Sequence, residues 1–173
     1  MTGLGGPRVH QLIQIGVAIS TEEVFSSDLG YDYWNEDPDA MNANGFTAER
    51  IRAAPRPSEV DREVVSWLGP RASSNPEGLI AVGWDVAAVD LPYISHYLPG
   101  LAGLLSPQSV DLNAVCFTIA GDASTRWKTL RRRAEKHAEE ELGRADWHDA
   151  GFDAAAALSS WEYLRTLISP PSP

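Results

Sequence analysis

The stretch LIAVGW at 79–84 is continuously apolar, and it lies between a polar loop and the start of a helix. A strand with this pattern is typical of a sheet covered on both faces, because an alternating pattern would leave one face in water. The loop is PRASSNPEG at 70–78, and the helix begins in VDLPYISHYL, where a proline suits the first turn. This one strand therefore predicts a sheet with helices packed on both sides.

Other segments extend this α/β pattern in both directions along the chain. Residues 10–19 alternate, with Ile13, Ile15, Val17 and Ile19 on one side, so a strand is expected there. VFSSDLGYDYW at 24–34 predicts its antiparallel partner, DPDAMNANG at 37–45 a loop, and SVDLNAV at 109–115 a further short strand. The helices are predicted at 46–54 with Thr47 at the start, at 58–68 with Ser58 as cap, at 123–142 and at 150–168.

The length and composition predict one soluble globular domain. The chain has 173 residues, of which 43% are hydrophobic, and no apolar run is long enough to cross a membrane. We expect a single domain over 1–168 and a disordered tail at 169–173. The N-terminus lacks the pattern of a signal peptide and Cys116 is the one cysteine, so a cytoplasmic location is expected.

Charge restricts the way in which this chain could meet nucleic acid. The formal net charge of −10 argues against broad, non-specific duplex binding, which needs basic surface. The densest basic segment contains Lys128 and the arginines at 131–133. Two interpretations are open, a solvated helix face or an edge that contacts phosphates.

Three polar residues stand out by their positions. Asp153 lies on an apolar helical stripe that continues through Ala157, Trp161, Leu164 and Ile168. A carboxylate there should be desolvated, and it therefore needs a cation or a donor. Asp90 lies where the apolar strand leads into a helix, and His148 precedes the last helix. Taken singly, Asp90 and His148 could be caps, and Asp153 could be a first-turn acid favoured by the helix dipole.

Together these residues resemble a known family. HDAGFD at 148–153 has the form His-x-Ala-x-x-Asp and comes before a terminal helix, after the segment GWDVAAVDLPYI at 83–94. NANGFTAERIRAAPRPSEVDREVVSWL at 42–68 and MTGL followed by HQLIQIGVAIS are also similar to segments of this family. The family is the DEDDh 3′–5′ exonucleases, which includes oligoribonuclease, ribonuclease T and the proofreading exonucleases. The resemblance spans about residues 1–168.

The resemblance implies a ribonuclease-H-like mixed sheet and metal-dependent cleavage of phosphodiesters. Four carboxylates would hold two Mg²⁺ or Mn²⁺ ions, with Asp90 and Asp153 among the ligands and His148 as general base. Residues 2–4, that is Thr2, Gly3 and Leu4, would line the pocket for the terminal nucleotide. The implied substrates are single-stranded DNA or RNA 3′ ends or short oligonucleotides, and a homodimer is a possible assembly.

One departure from the family pattern concerns the metal ligands. The family has Asp-x-Glu at the end of a central first strand, directly before a Thr-Gly-Leu turn, whereas this sequence begins at Met1 with that turn. Glu22 and Glu23 do not obviously replace the two acids. Met1 could be internal to a longer chain, the protein could be a pseudoenzyme completed by another segment or chain, or the chain could have been shortened, and we favour the first explanation. The alternative function is a non-catalytic domain on the same fold that binds nucleic acid or another partner.

Overall fold

The computed structural model describes residues 1–3, 5–121 and 125–168. Leu4, the first residues of the helix expected at 123–142 and the tail expected at 169–173 lie outside the described residues. The strands are β1 (Gln14–Ala18), β2 (Val24–Asp28), β3 (Leu79–Gly83) and β4 (Leu105–Asp111). The helices are α1 (Pro38–Asn44), α2 (Ala48–Ala53), α3 (Pro57–Ala72), α4 (Asp90–Tyr97), α5 (Pro99–Ala102), α6 (Leu112–Ala120), α7 (Arg126–Leu142) and α8 (Ala150–Ile168).

The described residues combine helices and strands, so the protein is mixed α/β as expected, but the strands form two separate two-stranded sheets and not the single mixed sheet that the sequence predicted. β1 pairs with β2 antiparallel, with Gln14 opposite Asp28 and Ala18 opposite Val24. β3 pairs with β4 parallel, and the register is irregular between Leu79 and Ala81. α8 contacts β1, β2 and β3, and α7 lies along α8. The last helix is therefore the element that connects the two sheets.

The segment 37–45 is a helix, and the prediction of a loop there was wrong. Asp37 accepts hydrogen bonds from the backbone of Asp39 and Ala40, and Pro38 occupies the first helical position. Gly45 ends α1 in the left-handed conformation, which glycine adopts without steric cost. Two of the turn-forming residues in this segment, Asp37 and Gly45, are therefore the caps of a short helix. The next helix begins as predicted, since Thr47 accepts a hydrogen bond from Arg50 N–H.

The start of α3 differs from the prediction. Arg56 is the residue before the helix, and its N–H donates to Glu59, whereas Ser58 lies inside the first turn. Asp61 has a tertiary role, because its carboxylate accepts hydrogen bonds from the backbone N–H groups of Gly100 and Leu101 at 2.8 Å each. The helix also continues through the first residues of the predicted loop at 70–78 and ends at Ala72.

Two strand predictions also need correction. The strand expected at 109–115 runs instead from Leu105 to Asp111, where Asp111 caps α6 by accepting from Asn113 N–H. β3 is not buried on both faces, since Ile80 is 53% exposed. Within the described residues β3 pairs with one strand, β4, and the face that carries Ile80 is not fully covered.

The contact between β1 and α8 depends on a glycine. An added Cβ at Gly16 would lie 1.8 Å from the carbonyl oxygen of Ala150, far inside van der Waals contact. The first turn of α8 can therefore lie against β1 only because residue 16 has no side chain. This turn carries Asp153, so the position of that acid relative to the strands depends on Gly16.

We expect Gly16→Ala to lower the free energy of unfolding by about 3 kcal/mol, because the helix backbone must move to admit the methyl group. Chemical denaturation of the purified protein measures this change. Gly69→Ala is the matched control, since a Cβ on Gly69 in α3 meets nothing within 4 Å. The control should change the free energy of unfolding by less than about 1 kcal/mol, because the helix preference of alanine is opposed by the ring of Pro70, which follows it. Equal effects of the two substitutions would contradict the close approach.

Candidate active site

Asp90 is a half-buried carboxylate at the first position of α4, where the chain leaves β3. Burial raises its pKa from 3.8 to about 6. The Met1 ammonium acts to lower this pKa, while the negative charges of Asp153 and Asp85 raise it. Asp90 is not a capping residue, since its side chain makes no cap hydrogen bond and Val89 occupies the cap position. The structure therefore places several charged groups around a partly desolvated acid.

Asp153 lies in the first turn of α8 and is also half-buried. Its pKa is raised mainly by burial, while the backbone N–H and the charge of His148 act to lower it. That N–H lies 3.3 Å from Asp153 Oδ1. Asp153 also acts electrostatically on Asp90, so the two acids influence each other, while the direct contact of His148 is with Asp153. The stripe on α8 continues through buried Ala157 and Leu164 but ends at Ile168, which is 53% exposed.

The backbone is unusual at two positions beside these acids. His148 has a φ of 75° and Asp85 a φ of 55°, and they are the non-glycine residues with positive φ in the described chain. This conformation is uncommon for residues other than glycine, and it is maintained only where the surroundings require it. Both residues adjoin the acidic pair, so the local strain is concentrated at the candidate site.

The segment before α8 is held by specific contacts. Asp149 caps the helix by accepting from Phe152 N–H at 2.9 Å. Gln14 on β1 accepts from Ala150 N–H at 2.9 Å, and its amide lies 3.3 Å from the second oxygen of Asp149. Trp147 donates to Glu139 on α7 at 2.6 Å. These contacts fix the backbone around His148 while its side chain remains exposed.

A cleft of about 340 Å³ opens beside His148. Its walls come from β1, from the end of α1, from α2 and from the segment before α8. Amide, guanidinium and carboxylate groups line it together with Phe46, and these polar residues are Gln14, Asn42, Asn44, Arg50, Asp146 and Asp149. The cleft has the size of a small-ligand site, since such sites start at about 300 Å³.

The residues expected to line a nucleotide pocket have structural contacts instead of an open surface. Thr2 is completely buried, and its hydroxyl accepts from Gln11 N–H at 2.9 Å. Gly3 is buried, and its carbonyl accepts from the Tyr93 hydroxyl at 2.8 Å. Leu4 lies outside the described residues, so that part of the prediction stays a prediction.

Sequence reasoning missed Gln14 and Asp149. Gln14 is a polar residue within an apolar alternating strand, which is a usable signal. Asp149 directly precedes the final helix, so its role as a cap could also have been predicted. The contact between them joins residues 135 positions apart, and nothing local in the sequence indicates it.

The described residues hold no complete divalent-cation site. Among them, no group of three His, Cys, Asp or Glu side chains could hold a metal ion. Asp90 and Asp153 offer hard oxygen donors, and the repulsion between them would be relieved by a cation. Glu23 forms an ion pair with Arg71, so this acid is engaged elsewhere. A two-ion centre would need further ligands.

In comparisons with known proteins, no family profile matches the chain, and neither does any curated protein sequence. None of the helices in the described part of the chain combines the length and the apolar character that spanning a bilayer requires.

Proposed function

We propose that this protein is a metal-dependent 3′–5′ exonuclease of the DEDDh type, acting on single-stranded nucleic acid ends or short oligonucleotides. The observation that carries the proposal is the convergence of Asp90 and Asp153, two half-buried acids with raised pKa, beside an exposed His148. Acids in such a position favour a cation between them, and a nearby imidazole can accept a proton near neutral pH.

The arrangement of the strands supports a ribonuclease-H-like fold with one central strand missing. Leu29 N–H donates to Ile13 O at 2.9 Å, and in an antiparallel pair every second residue bonds to the partner strand. The backbone N–H and C=O groups of Gln14, Gly16 and Ala18 therefore point away from β2. In the described residues no strand pairs with this edge of β1, and β3 has only β4 as its neighbour. Because α8 contacts both β1 and β3, a strand inserted between them would join the two sheets.

In this proposal such a strand would be joined to the N-terminal residues. Thr2 N–H donates to Gln11 O at 2.9 Å, which continues the line of β1, and the charge of the Met1 ammonium acts on Asp90. A strand joined to Met1 would run along the free edge of β1, with its last residues near Asp90. We propose that the remaining carboxylates are supplied from this direction, by the same chain or by another.

The chemistry follows from the chain's own groups. Asp90 and Asp153 would hold a divalent cation, and the exposed imidazole of His148 would accept the proton of the attacking water. A bound Mg²⁺ or Mn²⁺ supplies positive charge that makes water easier to ionise and stabilises the leaving oxygen. The cleft beside His148, whose lining does not include Asp90 or Asp153, would offer polar groups to the nucleotide that is removed.

The test is release of nucleotides from a single-stranded oligonucleotide in the presence of Mn²⁺ or Mg²⁺. The protein is compared with a form that carries an apolar strand ending in Asp-x-Glu immediately before Met1. We expect the extended form to release labelled mononucleotide from a 3′-labelled substrate, and a chelator to abolish the release. The unextended chain should be much slower. No metal-dependent release by either form would overturn the proposal.

A non-catalytic binding domain on the same fold is the second candidate. It is favoured by the small number of metal-binding groups, since the described residues hold no cluster of three potential ligands. This domain would bind single-stranded nucleic acid without cutting it, in either form of the chain. This alternative would be selected if the chain bound the oligonucleotide in a separate binding measurement and released no nucleotide in the preceding experiment.

A further inference from the structure

Helix α7 carries its charges in an order that opposes its own dipole. Its first half contains Lys128 and the arginines at 131–133, while its last turns contain the glutamates at 139–141. Cations are favoured near the C-terminus of a helix and acids near its N-terminus. The reversed order therefore gives the helix no stabilisation through its dipole.

The basic end of α7, defined as Lys128, Arg131, Arg132 and Arg133, has few internal partners. Arg131 is engaged, since its guanidinium is 2.7 Å from Glu135 and 3.1 Å from Asn113 Oδ1. Arg132 and Arg133 are exposed, and no carboxylate of the described residues lies within ion-pair distance of either. Lys128 is also exposed, and its ammonium lies over the ring of Trp127.

The contacts of Arg131 place this basic end near the candidate active site. The guanidinium lies 4.7 Å from the centre of the Trp84 ring. Trp84 directly follows β3 and precedes Asp85, whose charge acts on Asp90. Asn113 lies in the first turn of α6, directly after β4. The basic end of α7 therefore lies at the carboxyl ends of the two parallel strands, on the same side as Asp90.

We propose that the basic end of α7 binds the phosphate backbone of a single-stranded nucleic acid whose 3′ end enters the candidate active site. The identity of this ligand rests on the proposed function. Residues 128–133 span about 8 Å along the helix, which matches a few successive phosphates rather than a long duplex. The net charge of the whole chain opposes wider contact, so binding should be local and sensitive to salt.

The test measures binding by fluorescence anisotropy, using a 5′-labelled oligodeoxythymidylate of about 15 nucleotides, a length suited to single-strand binding. EDTA is present, so hydrolysis does not contribute. The variant is Arg132→Glu with Arg133→Glu. The control is Arg52→Glu with Arg62→Glu, which changes the net charge equally at exposed positions on α2 and α3. Thermal melting of each variant establishes that it is folded.

We expect the α7 variant to bind the oligonucleotide at least about tenfold more weakly at low salt. The slope of the logarithm of its binding constant against the logarithm of the salt concentration should be smaller by about 1.4, which corresponds to two phosphate contacts on a single strand. The control should change affinity about twofold or less. Equal losses in the two variants, or an unchanged salt slope, would overturn the inference. The inference would also be overturned if polyglutamate of the same length displaced the labelled oligonucleotide as well as the unlabelled oligonucleotide does.

The outcome is separable from that of the proposed function. Hydrolysis of a dinucleotide, whose single internucleotide phosphate is the one that is cleaved, tests the active site alone. Metal-dependent cleavage of the dinucleotide with no effect of the α7 variant on binding would reject this inference and keep the exonuclease. Loss of binding in the α7 variant, with no hydrolysis by any form, would keep the inference and select the non-catalytic domain.

Discussion

Replacing His148 is expected to lower the rate of metal-dependent hydrolysis about 10²–10⁴-fold, which is the usual contribution of a general base. The imidazole is exposed, and the backbone N–H of the same residue lies 3.3 Å from Asp153 Oδ1. Single-turnover rates on a 3′-labelled oligonucleotide measure the loss, in the form of the chain that carries the Asp-x-Glu strand. Binding of the substrate in EDTA should be nearly unchanged.

Two variants separate catalysis from backbone strain at this position. His148 has a φ of 75°, which alanine adopts at a cost and asparagine tolerates better. His148→Asn should therefore keep the stability of the fold while it loses the base. His96→Ala is the control, because His96 is an exposed histidine on α4. Hydrolysis by His148→Asn at the unsubstituted rate would remove this residue from the mechanism.

Asp90→Asn is expected to raise the free energy of unfolding by about 2 kcal/mol near pH 7 when divalent cations are absent. Burial raises the pKa of Asp90 from 3.8 to about 6, and that shift corresponds to about 3 kcal/mol. We reduce this value because the carboxyl group is only half-buried. The same substitution should abolish metal-dependent hydrolysis, since it removes a proposed ligand.

The sign of the pH dependence follows from the raised pKa. Between about pH 4 and pH 6 the folded protein binds this proton more tightly than the unfolded chain does, so the unfolding free energy falls as the pH rises. Met1, Asp153 and Asp85 act on the group, and burial lowers the pKa of the Met1 ammonium. Asp90→Asn should lack this part of the slope.

Urea denaturation across this pH range, in EDTA, measures the effect. Glu77→Gln serves as the control, because Glu77 is an exposed acid in the loop before β3. The control should retain the slope of the unsubstituted protein. A slope that is the same in Asp90→Asn and in the unsubstituted protein would show that Asp90 is not destabilised in the folded state.

The elements predicted well from the sequence depend on neighbours a few residues apart. Thr47 caps α2, the final helix covers Ala150–Ile168, and the two N-terminal strands pair antiparallel, as their patterns indicated. The predictions that failed involve ambiguous local signals. Residues 37–45 contain proline, asparagine and glycine, which suit a loop, but Asp37 and Gly45 use the same chemistry to cap a helix.

Part of the candidate site was accessible to sequence reasoning for a physical reason. Asp90 follows an apolar strand, and Asp153 interrupts an apolar helical stripe. Both positions imply desolvation, and the structure gives both acids raised pKa values. The cleft beside His148 could not be predicted in this way, because its walls come from residue 14, from 42–50 and from 146–149, which are distant in the chain.

The sequence by itself determined the alternation of strands and helices, the positions of several caps and the two acids placed in apolar surroundings. These properties follow from backbone periodicity and from hydrogen bonds between near neighbours. The tertiary structure alone decided that Gln14 meets Asp149, that Asp61 binds the start of α5, and that half of Ile80 is exposed. Such contacts depend on the register of the strands and on how closely a helix approaches them. At Gly16 the absence of a side chain lets the first turn of α8 lie against β1, and Asp153 in that turn acts on Asp90.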